Sequence, residues 1–361
     1  MKTLHEIIRA EAAKTGVLPF ARFMELALHC PIHGYYEKQK DNIGRRGDFY
    51  TSASTGELFG ELLAFQFAGW LEAEVGRQKP EARIVEAGAH DGKLAKDILR
   101  WLQINRPQLF GQIEYCILEP SAIRRERQRE TLKVFPNVRW LTNFENLSPV
   151  TRHPSLAGII FSNELLDSFP VRRFGWDKMN KKWFEWGVAA DGEIFVWAKI
   201  RNSEFGIRNS ELESVLPDNY TVETSPAAEN WWRQAAGILE RGKLLAIDYG
   251  LTDDELFLPQ RKNGTLRAYF RHHLAADVLA NAGEQDLTAH VNFSAIQKTG
   301  EQAGLKTEMF STQTKFLTQI LESTLRDKTF GEWNSGRARQ FQTLTHPEHL
   351  GRAFRVLVQS R

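Results

Sequence analysis

The chain has 361 residues, of which 42% are hydrophobic and 25% charged. These ordinary fractions exclude a mainly disordered, collagen-like or coiled-coil protein, and the length allows two domains or one large α/β domain with insertions. Lysines and arginines number 47 and aspartates and glutamates 45, a net charge of +2 that predicts no general attraction to nucleic acid or to an anionic membrane. The only two cysteines, Cys30 and Cys116, argue against a disulfide framework and favour a reducing compartment.

The hydropathy pattern contains no segment typical of a membrane span or a secretion signal. The richest apolar stretch, 62–71, is shorter than the roughly 18–20 residues that cross a bilayer. Three charged residues, Glu6, Arg9 and Glu11, interrupt the region where a signal peptide needs an apolar core. Acidic residues such as Glu6 and Glu11 are also unusual in a transit peptide. We therefore expect a bacterial-type cytoplasmic protein without membrane insertion.

The first region, 1–78, precedes the regular part of the chain. Its patterns predict helices near 3–14 and 19–29 and a long apolar helix near 57–74. Between them, 33–56 is rich in aromatic residues and glycine. An aromatic and acidic loop at this position is expected either to form a lid over a pocket or to pack on the preceding helix.

From Arg83 onwards, short apolar strands alternate with helices, which predicts βαβ units and a parallel sheet. Residues 79–170 form the first part of this α/β core, with strands at 84–87, 115–118, 138–141 and 157–162.

The alternation is interrupted at 171–225, where spaced tryptophans and phenylalanines predict antiparallel hairpins and thus a β-rich insertion. Residues 226–361 are expected to complete the core. They contain a helix near 226–240, a strand at 243–247 and a terminal apolar strand at 354–358.

A glycine loop follows the first predicted strand and leads into a helix. Gly88 and Gly92 let a ligand approach the backbone closely, and the helix start offers unpaired N–H groups. The spacing is neither the dinucleotide fingerprint nor a P-loop. Glu86 and Asp91 disfavour a phosphate and suit the ammonium, sulfonium and ribose of S-adenosylmethionine, the alternative being a tight strand-to-helix turn.

Polar side chains also follow two further predicted strands. Glu119 can accept hydrogen bonds from both ribose hydroxyls of a nucleotide, or cap a helix. Asn163 and Glu164 follow the fourth strand, and ligands of open α/β sheets bind beyond the carboxyl ends of the strands. Both are therefore expected to face the active crevice, while Asp167 either shares it or lies on the solvent face of a helix that starts there.

Several longer motifs occur in order along nearly the whole chain. They are 23–28, 34–36, 47–52, 85–88, 163–171, 247–250, 264–269 and 285–293. With these motifs the chain resembles the MidA family of S-adenosylmethionine-dependent methyltransferases, which includes the mitochondrial arginine methyltransferase that assists complex I assembly. The stretches around Asn163 and Asp286 are the most specific of them.

The resemblance implies an α/β fold: a class I, Rossmann-like methyltransferase core of seven strands, with 354–358 as the reversed last strand. It further implies an N-terminal helical and lid segment that helps to close the pocket, and the β-rich insertion. Four residues of that segment would lie near the cofactor: Gly47, Asp48, Phe49 and Thr51.

Some positions depart from the family pattern or suggest other ligands. His90 stands where the family usually has a glycine, and its bulk either narrows the methionine end of the pocket or points away from it. His29, Cys30 and His33 lack a second pair of ligands at zinc-finger spacing, so no metal site is predicted. The arginines of 124–130 alternate with acids, which favours a solvated helix face over a nucleic-acid patch.

The resemblance implies methyl transfer to an arginine of a protein partner, with a respiratory complex I-type subunit as one candidate. A carboxylate can hold a guanidinium with two hydrogen bonds. Glu164 is the first candidate for that catalytic role and Asp167 the second, with Asn163 orienting the methyl end or the substrate. Candidate substrate-binding residues are Asp248, Tyr249 and His290, the last being equally typical of a buried histidine.

Two alternatives stay open at this point. One is a methyltransferase-like assembly chaperone without turnover, which the bulk of His90 would favour. The other is a methyltransferase that acts on a small molecule or a nucleic acid, although the weak net charge argues against nucleic acid. The sequence does not determine the oligomeric state.

Overall fold

The computed structural model of the protein describes residues 2–38, 51–75, 82–147, 156–200, 210–270 and 273–361. The helices are α1 (Leu4–Thr15), α2 (Phe20–His29), α3 (Leu58–Val75), α4 (Lys93–Asn105), α5 (Pro107–Phe110), α6 (Ala122–Leu132), α7 (Ser210–Val215), α8 (Pro226–Ile238), α9 (Asp253–Leu256), α10 (Phe293–Gln302), α11 (Gln313–Thr324) and α12 (Ser335–Thr345). The strands are β1 (Leu18–Pro19), β2 (Ala82–Ala87), β3 (Ile113–Leu118), β4 (Val138–Leu141), β5 (Leu156–Asn163), β6 (Arg172–Asp177), β7 (Lys182–Asp191), β8 (Ile194–Ile200), β9 (Thr221–Thr224), β10 (Leu239–Leu251), β11 (Arg267–Phe270), β12 (His273–Leu274), β13 (Asp286–Thr288), β14 (Val291–Asn292), β15 (Lys306–Thr312) and β16 (Phe354–Ser360).

The chain forms two compact units, each assembled from three separate stretches. The core unit comprises Tyr50–Leu166, Trp231–Gly250 and Ile296–Arg361. The second unit comprises Met1–Phe49, Asp167–Asn230 and Leu251–Ala295. The predicted domains, with boundaries after residues 78, 170 and 225, are instead contiguous stretches of the chain.

Among the described residues, seven strands of the main sheet are paired in the continuous order β15–β16–β10–β5–β2–β3–β4. The strands from β10 to β4 run parallel to their neighbours, whereas β16 runs antiparallel to both β10 and β15. This arrangement confirms the predicted Rossmann-like core with a reversed last strand. The strand predicted at 243–247 is longer in the structure. Its pairing with β16 continues to Tyr249, so Asp248 lies within β10 rather than after it.

Gly158 and Gly242 allow the parallel strands β2, β5 and β10 to approach one another closely near the beginning of β5 and β10. A Cβ on Gly158 would lie 2.0 Å from the carbonyl oxygen of Arg83, and one on Gly242 would lie 1.9 Å from that of Gly158. Both glycines have positive φ values, +143° and +124°. The spacing of β2, β5 and β10 therefore depends on the absence of side chains there.

Helix α3 is apolar on nearly all sides, which is typical of a helix buried in a protein core. Phe59 and Phe67 are fully buried in it, and the Phe67 ring lies 5.0 Å from that of Phe161 on β5. Residues of α4 and α11 join the same apolar cluster. The helix thus covers the sheet on which the candidate site is built.

The second unit contains an antiparallel sheet with the order β1–β7–β6–β9, and β8 also pairs with β7. The hairpins expected in the β-rich insertion are therefore present. Helices α1 and α2 contribute to one apolar cluster with Val188, Phe195 and Leu287. The N-terminal helices and the insertion consequently belong to the same unit.

Within the described part of the chain, no helix combines the length and the apolar character needed to cross a membrane.

We predict that Gly158→Ala lowers the free energy of unfolding by roughly 2–4 kcal/mol, because the added methyl group overlaps the Arg83 carbonyl and the backbone is strained. Chemical denaturation of the purified variant measures this loss. Gly69→Ala is the matched control, since a Cβ there meets no atom within 4 Å, and it should change stability by less than about 1 kcal/mol. Equal stability of the two variants would contradict the prediction.

Candidate active site

Strand pairing brings the predicted polar residues to one edge of the core sheet. Ala87 of β2 lies opposite Leu118 of β3 on one side and Ser162 of β5 on the other. Asn163 of β5 lies opposite Ile247 of β10. The polar residues at or after the ends of these four strands therefore share the carboxyl edge, where open α/β sheets bind ligands.

The loop between β2 and α4 requires left-handed backbone conformations. Gly88, His90 and Gly92 have φ values of +77°, +47° and +83°. His90 thus occupies a position where glycine is the easier residue, because a left-handed backbone is strained for a residue that has a Cβ atom. A Cβ on Gly88 would lie 3.0 Å from the Leu165 Cδ1 atom, so the loop contacts the turn that follows β5.

Asp91 completes the start of α4. Its Oδ1 atom accepts a hydrogen bond from the Lys93 N–H at 3.0 Å. The side chain therefore satisfies one of the N–H groups that a helix start leaves unpaired.

Glu86 is 2% exposed near the end of β2. The Tyr115 hydroxyl donates a hydrogen bond of 2.6 Å to its Oε2 atom. Burial raises the pKa of Glu86 to about 8, although the tyrosine hydrogen bond opposes the rise. Without a ligand, this carboxyl group is therefore mostly protonated at neutral pH.

Glu119 is also 2% exposed, and it follows β3 directly. It accepts hydrogen bonds from the Ser121 N–H at 2.9 Å and from Gln128 Nε2 at 3.2 Å. Gln128 Nε2 also lies 3.0 Å from the His90 carbonyl oxygen, so this buried glutamine connects the glycine loop with Glu119. Gln128 was not predicted as a site residue, although it is the one uncharged residue among the charged 124–130.

Glu164 forms a strained turn at the end of β5. Its φ value is +52°, and its N–H donates to the Ile247 carbonyl at 2.9 Å. Its Oε1 atom accepts hydrogen bonds from the Ser52 N–H at 2.9 Å and from Asn163 Nδ2 at 3.0 Å. Asn163 Oδ1 is buried and has no hydrogen-bond partner among the residues that the structure describes.

Ser52 and Gln313 support this arrangement and were not singled out in the sequence. Ser52 is fully buried, and its hydroxyl donates to Gln313 Oε1 at 3.2 Å. Gln313, the first residue of α11, in turn donates to the Leu344 carbonyl at 2.9 Å. No motif connects residues 261 positions apart in the chain, so the sequence carried no signal for this contact.

Asp248 is fully buried beneath the same turn. Its Oδ2 atom accepts hydrogen bonds from the N–H groups of Leu165 at 3.0 Å and Leu166 at 2.8 Å, and its Oδ1 accepts from the Tyr249 N–H at 2.8 Å. Burial and the nearby charge of Glu164 raise the pKa of Asp248. All three of these hydrogen bonds come from backbone N–H groups, and the predicted role of Asp248 in substrate binding stays a prediction.

Thr51 is the described member of the N-terminal residues predicted near the cofactor. It is buried, and its side chain caps a 3₁₀ helix at Ser52–Thr55 by accepting from the Ser54 N–H at 3.0 Å. Gly47, Asp48 and Phe49, like the rest of 39–50 in the loop predicted as a lid, lie outside the described residues.

Asp167 and His290 belong to the second unit. Asp167 lies in a 3₁₀ helix of three residues, Leu166–Ser168, rather than at the start of a long helix. Its carbonyl accepts from the Ala289 N–H at 3.1 Å. Burial and then the charges of two arginines lower the pKa of His290 to about 4, so its imidazole is neutral at physiological pH.

Tyr249, the remaining predicted substrate-binding residue, follows Asp248 in β10. Its ring centroid lies 3.9 Å from that of Phe354 on β16. The predicted roles of Tyr249, His290 and Asp167 in substrate binding or catalysis stay predictions.

The residues at this edge fit S-adenosylmethionine. Gly88 and Gly92 form a loop that a side chain would narrow, and Glu119 is a ribose-binding candidate at the position typical of nucleotide-binding α/β folds. Asp91 provides a carboxylate that attracts a positively charged ligand and would repel a phosphate, and Glu86 can ionise when a cation binds beside it. Among the described residues no cluster of three histidine, cysteine, aspartate or glutamate side chains could hold a metal ion.

Comparison with known proteins agrees with this chemistry. A family model described as "Putative S-adenosyl-L-methionine-dependent methyltransferase" matches residues 62–311. A Burkholderia thailandensis protein crystallised with S-adenosyl-homocysteine is 33% identical, with a TM-score of 0.83 over 99% of this chain and 92% of that one.

Curated relatives are more distant. The mitochondrial protein arginine methyltransferase NDUFAF7 homolog of Drosophila melanogaster is 27% identical over 84% of this chain and 71% of its own length. The mouse protein arginine methyltransferase NDUFAF7 is 27% identical over 80% of this chain and 67% of its own length.

We predict that Glu119→Ala weakens the binding of S-adenosylmethionine by about 10-fold or more. The variant removes up to two charge-assisted hydrogen bonds to the ribose, each worth roughly 1.5–3 kcal/mol. Isothermal titration calorimetry measures the change. Glu126→Ala, an exposed acid on the same helix α6, should bind normally, and unchanged affinity in Glu119→Ala would refute the assignment.

A second prediction concerns the pH dependence of stability. The pKa of Glu86 is about 8 in the folded protein and about 4.5 when exposed, so the folded state retains a proton between these values that the unfolded state has lost. Stability from this group is complete below pH 4.5 and is lost as pH rises towards 8, by up to about 1.4 kcal/mol per pH unit.

Glu86→Gln should remove this contribution. Without cofactor, its free energy of unfolding relative to the wild type should rise between pH 5 and pH 8 in urea titrations. Glu126→Gln should show no such trend, because its side chain is exposed. Parallel curves for the wild type and Glu86→Gln would show that the carboxyl group is already ionised at pH 5.

Proposed function

Because the chain belongs to this family of S-adenosyl-L-methionine-dependent methyltransferases, we propose that it methylates an arginine side chain of a protein partner. The names of the curated relatives support an arginine acceptor, at 27% identity. The identity of the protein that carries the arginine, with a respiratory complex I-type subunit as one candidate, is part of the same proposal.

The observation that carries the proposal is the pair of acceptors at the end of β5. Glu164 presents a carboxylate whose Oε1 atom is held by two hydrogen bonds, and the neighbouring Asn163 Oδ1 is a buried acceptor without a partner in the described chain. A guanidinium offers five N–H donors in a planar fork and no acceptor. Its hydrogen-bonding pattern is therefore complementary to this pair.

The chemistry requires alignment more than acid–base catalysis. S-adenosylmethionine bound at this edge would supply an electrophilic methyl group, and methylation of a guanidinium nitrogen would release S-adenosyl-homocysteine and one proton to solvent. A carboxylate hydrogen-bonded to the guanidinium draws its positive charge towards the bound nitrogens. Glu164 is proposed to do this, leaving the far nitrogen richer in electrons and correctly placed for attack.

The contacts of Glu164 explain how the carboxylate keeps its orientation. Ser52 and Asn163 hold it from two directions, and the Ser52 hydroxyl is itself anchored on Gln313 of α11. A reacting group held in this way loses little entropy when the substrate binds.

We predict that Glu164→Gln lowers the single-turnover rate by about two to three orders of magnitude, equivalent to roughly 2.7–4 kcal/mol of transition-state stabilisation. Glutamine retains the size and one oxygen of the side chain, so the hydrogen bonds from Ser52 and Asn163 can persist. Binding of S-adenosylmethionine should be nearly normal.

The assay uses enzyme in excess over methyl-labelled S-adenosylmethionine and the protein fraction of cells that lack this protein. Acid hydrolysis and mass spectrometry then quantify methylated arginines. Glu126→Gln serves as the control for loss of an exposed carboxylate. Label in other amino acids would contradict the arginine acceptor, and full activity of Glu164→Gln would contradict the role of Glu164.

A further inference from the structure

We infer that Asp248 is a positioning residue that holds Glu164 in its strained conformation and thereby sets the orientation of the carboxylate that receives the guanidinium. The inference rests on the proposed function for the role of Glu164. It assigns to Asp248 an indirect part in methyl transfer, without contact to the substrate.

The hydrogen bonds of Asp248 determine the course of the backbone after Glu164. The two N–H groups that follow Glu164, those of Leu165 and Leu166, both point at Asp248 Oδ2, at 3.0 and 2.8 Å. The N–H of Glu164 itself donates to the Ile247 carbonyl, one residue before Asp248. Three consecutive N–H groups are therefore bound by two adjacent residues of β10.

This geometry explains how a glutamate tolerates a left-handed backbone. Residues other than glycine rarely adopt a φ of +52°, and they retain it only where the surrounding structure compensates the strain. Hydrogen bonds from backbone N–H groups to a carboxylate are stronger than those between neutral groups. Asp248 supplies two such bonds directly after the strained residue, which is where they oppose its relaxation.

The left-handed conformation of Glu164 determines which groups its carboxylate contacts. In the left-handed conformation, the Glu164 carboxylate meets the Ser52 N–H and the Asn163 side chain. The hydrogen bonds described for Asp248 come from Leu165, Leu166 and Tyr249, and none of them involves Ser52. An effect of an Asp248 variant on the Ser52 amide is therefore expected to pass through Glu164, whose Oε1 atom accepts from that amide.

Two variants separate the contributions of the Asp248 oxygens. Asp248→Ala removes all three acceptor interactions. Asp248→Asn keeps one oxygen, which can still accept from Leu165 and Leu166, and should therefore rescue most of the rate while losing the bond to Tyr249. Because the asparagine variant is nearly isosteric, it keeps the inference testable if the alanine variant folds poorly.

A matched control tests the loss of buried polar contacts elsewhere in the core unit. Gln359 on β16 is fully buried, accepts from Trp232 Nε1 and donates to the Gln297 carbonyl and to Thr307 Oγ1. It lies opposite Leu244, four residues before Asp248 along β10. Gln359→Ala should lower the melting temperature without changing the single-turnover rate of the folded protein.

The first experiment is a double-mutant cycle on the single-turnover rate, with saturating enzyme, methyl-labelled S-adenosylmethionine and the protein fraction described above. Asp248→Ala should reduce the rate by about 10- to 100-fold, since displacement of a reacting group by about 1 Å costs up to 100-fold. The dissociation constant for S-adenosylmethionine should stay within about twofold. In a Glu164→Gln background the same substitution should reduce the rate by less than about twofold, because the two residues act as one unit.

The outcomes separate this inference from the proposed function. If Glu164→Gln retains the full rate, the proposed function of Glu164 fails and the inference falls with it. If Glu164→Gln is slow but Asp248→Ala is as fast as the wild type, or if the two effects multiply fully, only the positioning role is overturned.

The second experiment needs no methyl acceptor. Hydrogen exchange of the full chain should show faster exchange of the Ser52 amide in Asp248→Ala, to the rate seen in Glu164→Ala, whereas Gln359→Ala should leave it protected. Faster exchange confined to Leu165 and Leu166, with Ser52 still protected, would reduce Asp248 to a local support of the turn and refute the inference.

Discussion

Carboxyl groups placed at one edge of a parallel sheet impose the constraint on which the rest of the site depends. Burying such a group without donors costs several kcal/mol, so each one needs hydrogen bonds from its surroundings. A tyrosine hydroxyl serves Glu86, a serine N–H and a glutamine amide serve Glu119, and three backbone N–H groups serve Asp248. The turns after β3 and β5 direct N–H groups back at the sheet, and the positions of the polar side chains follow from that.

The same constraint links ligand binding to protonation. Burial keeps the pKa of Glu86 near 8 and raises that of Asp248, so the edge carries fewer negative charges at neutral pH than its composition suggests. A cation bound close to such a carboxyl group lowers its pKa again. Binding of an S-adenosylmethionine sulfonium or a guanidinium is therefore coupled to the release of protons from these groups, which offsets part of the attraction, whereas an anionic ligand gains no attraction at all. This favours a methyltransferase reaction in which both the cofactor and the proposed acceptor are cationic.

Much of this arrangement could be predicted because local patterns encode it. Alternation of short apolar strands with helices predicted the parallel order, and the glycine loop with Glu86 predicted the cofactor class. The position of Glu164 after a buried strand placed it at the carboxyl edge. His90 shows the limit of such patterns: its bulk left open whether it narrows the pocket or points away, and nothing in the sequence indicated that its backbone adopts a φ of +47°.

The sequence by itself determined the fold class, the parallel sheet and the residue types at its edge, because periodicity and strand-end position are local properties. Only the tertiary structure decided which side chains act together. Gln313 supports Ser52 across 261 positions, Gln128 turns from a charged helix towards Glu119, and Asp248 lies under a turn 82 positions earlier. These contacts join elements through folding of the whole sheet, and hydrogen bonds between distant segments leave no periodic trace in a single chain.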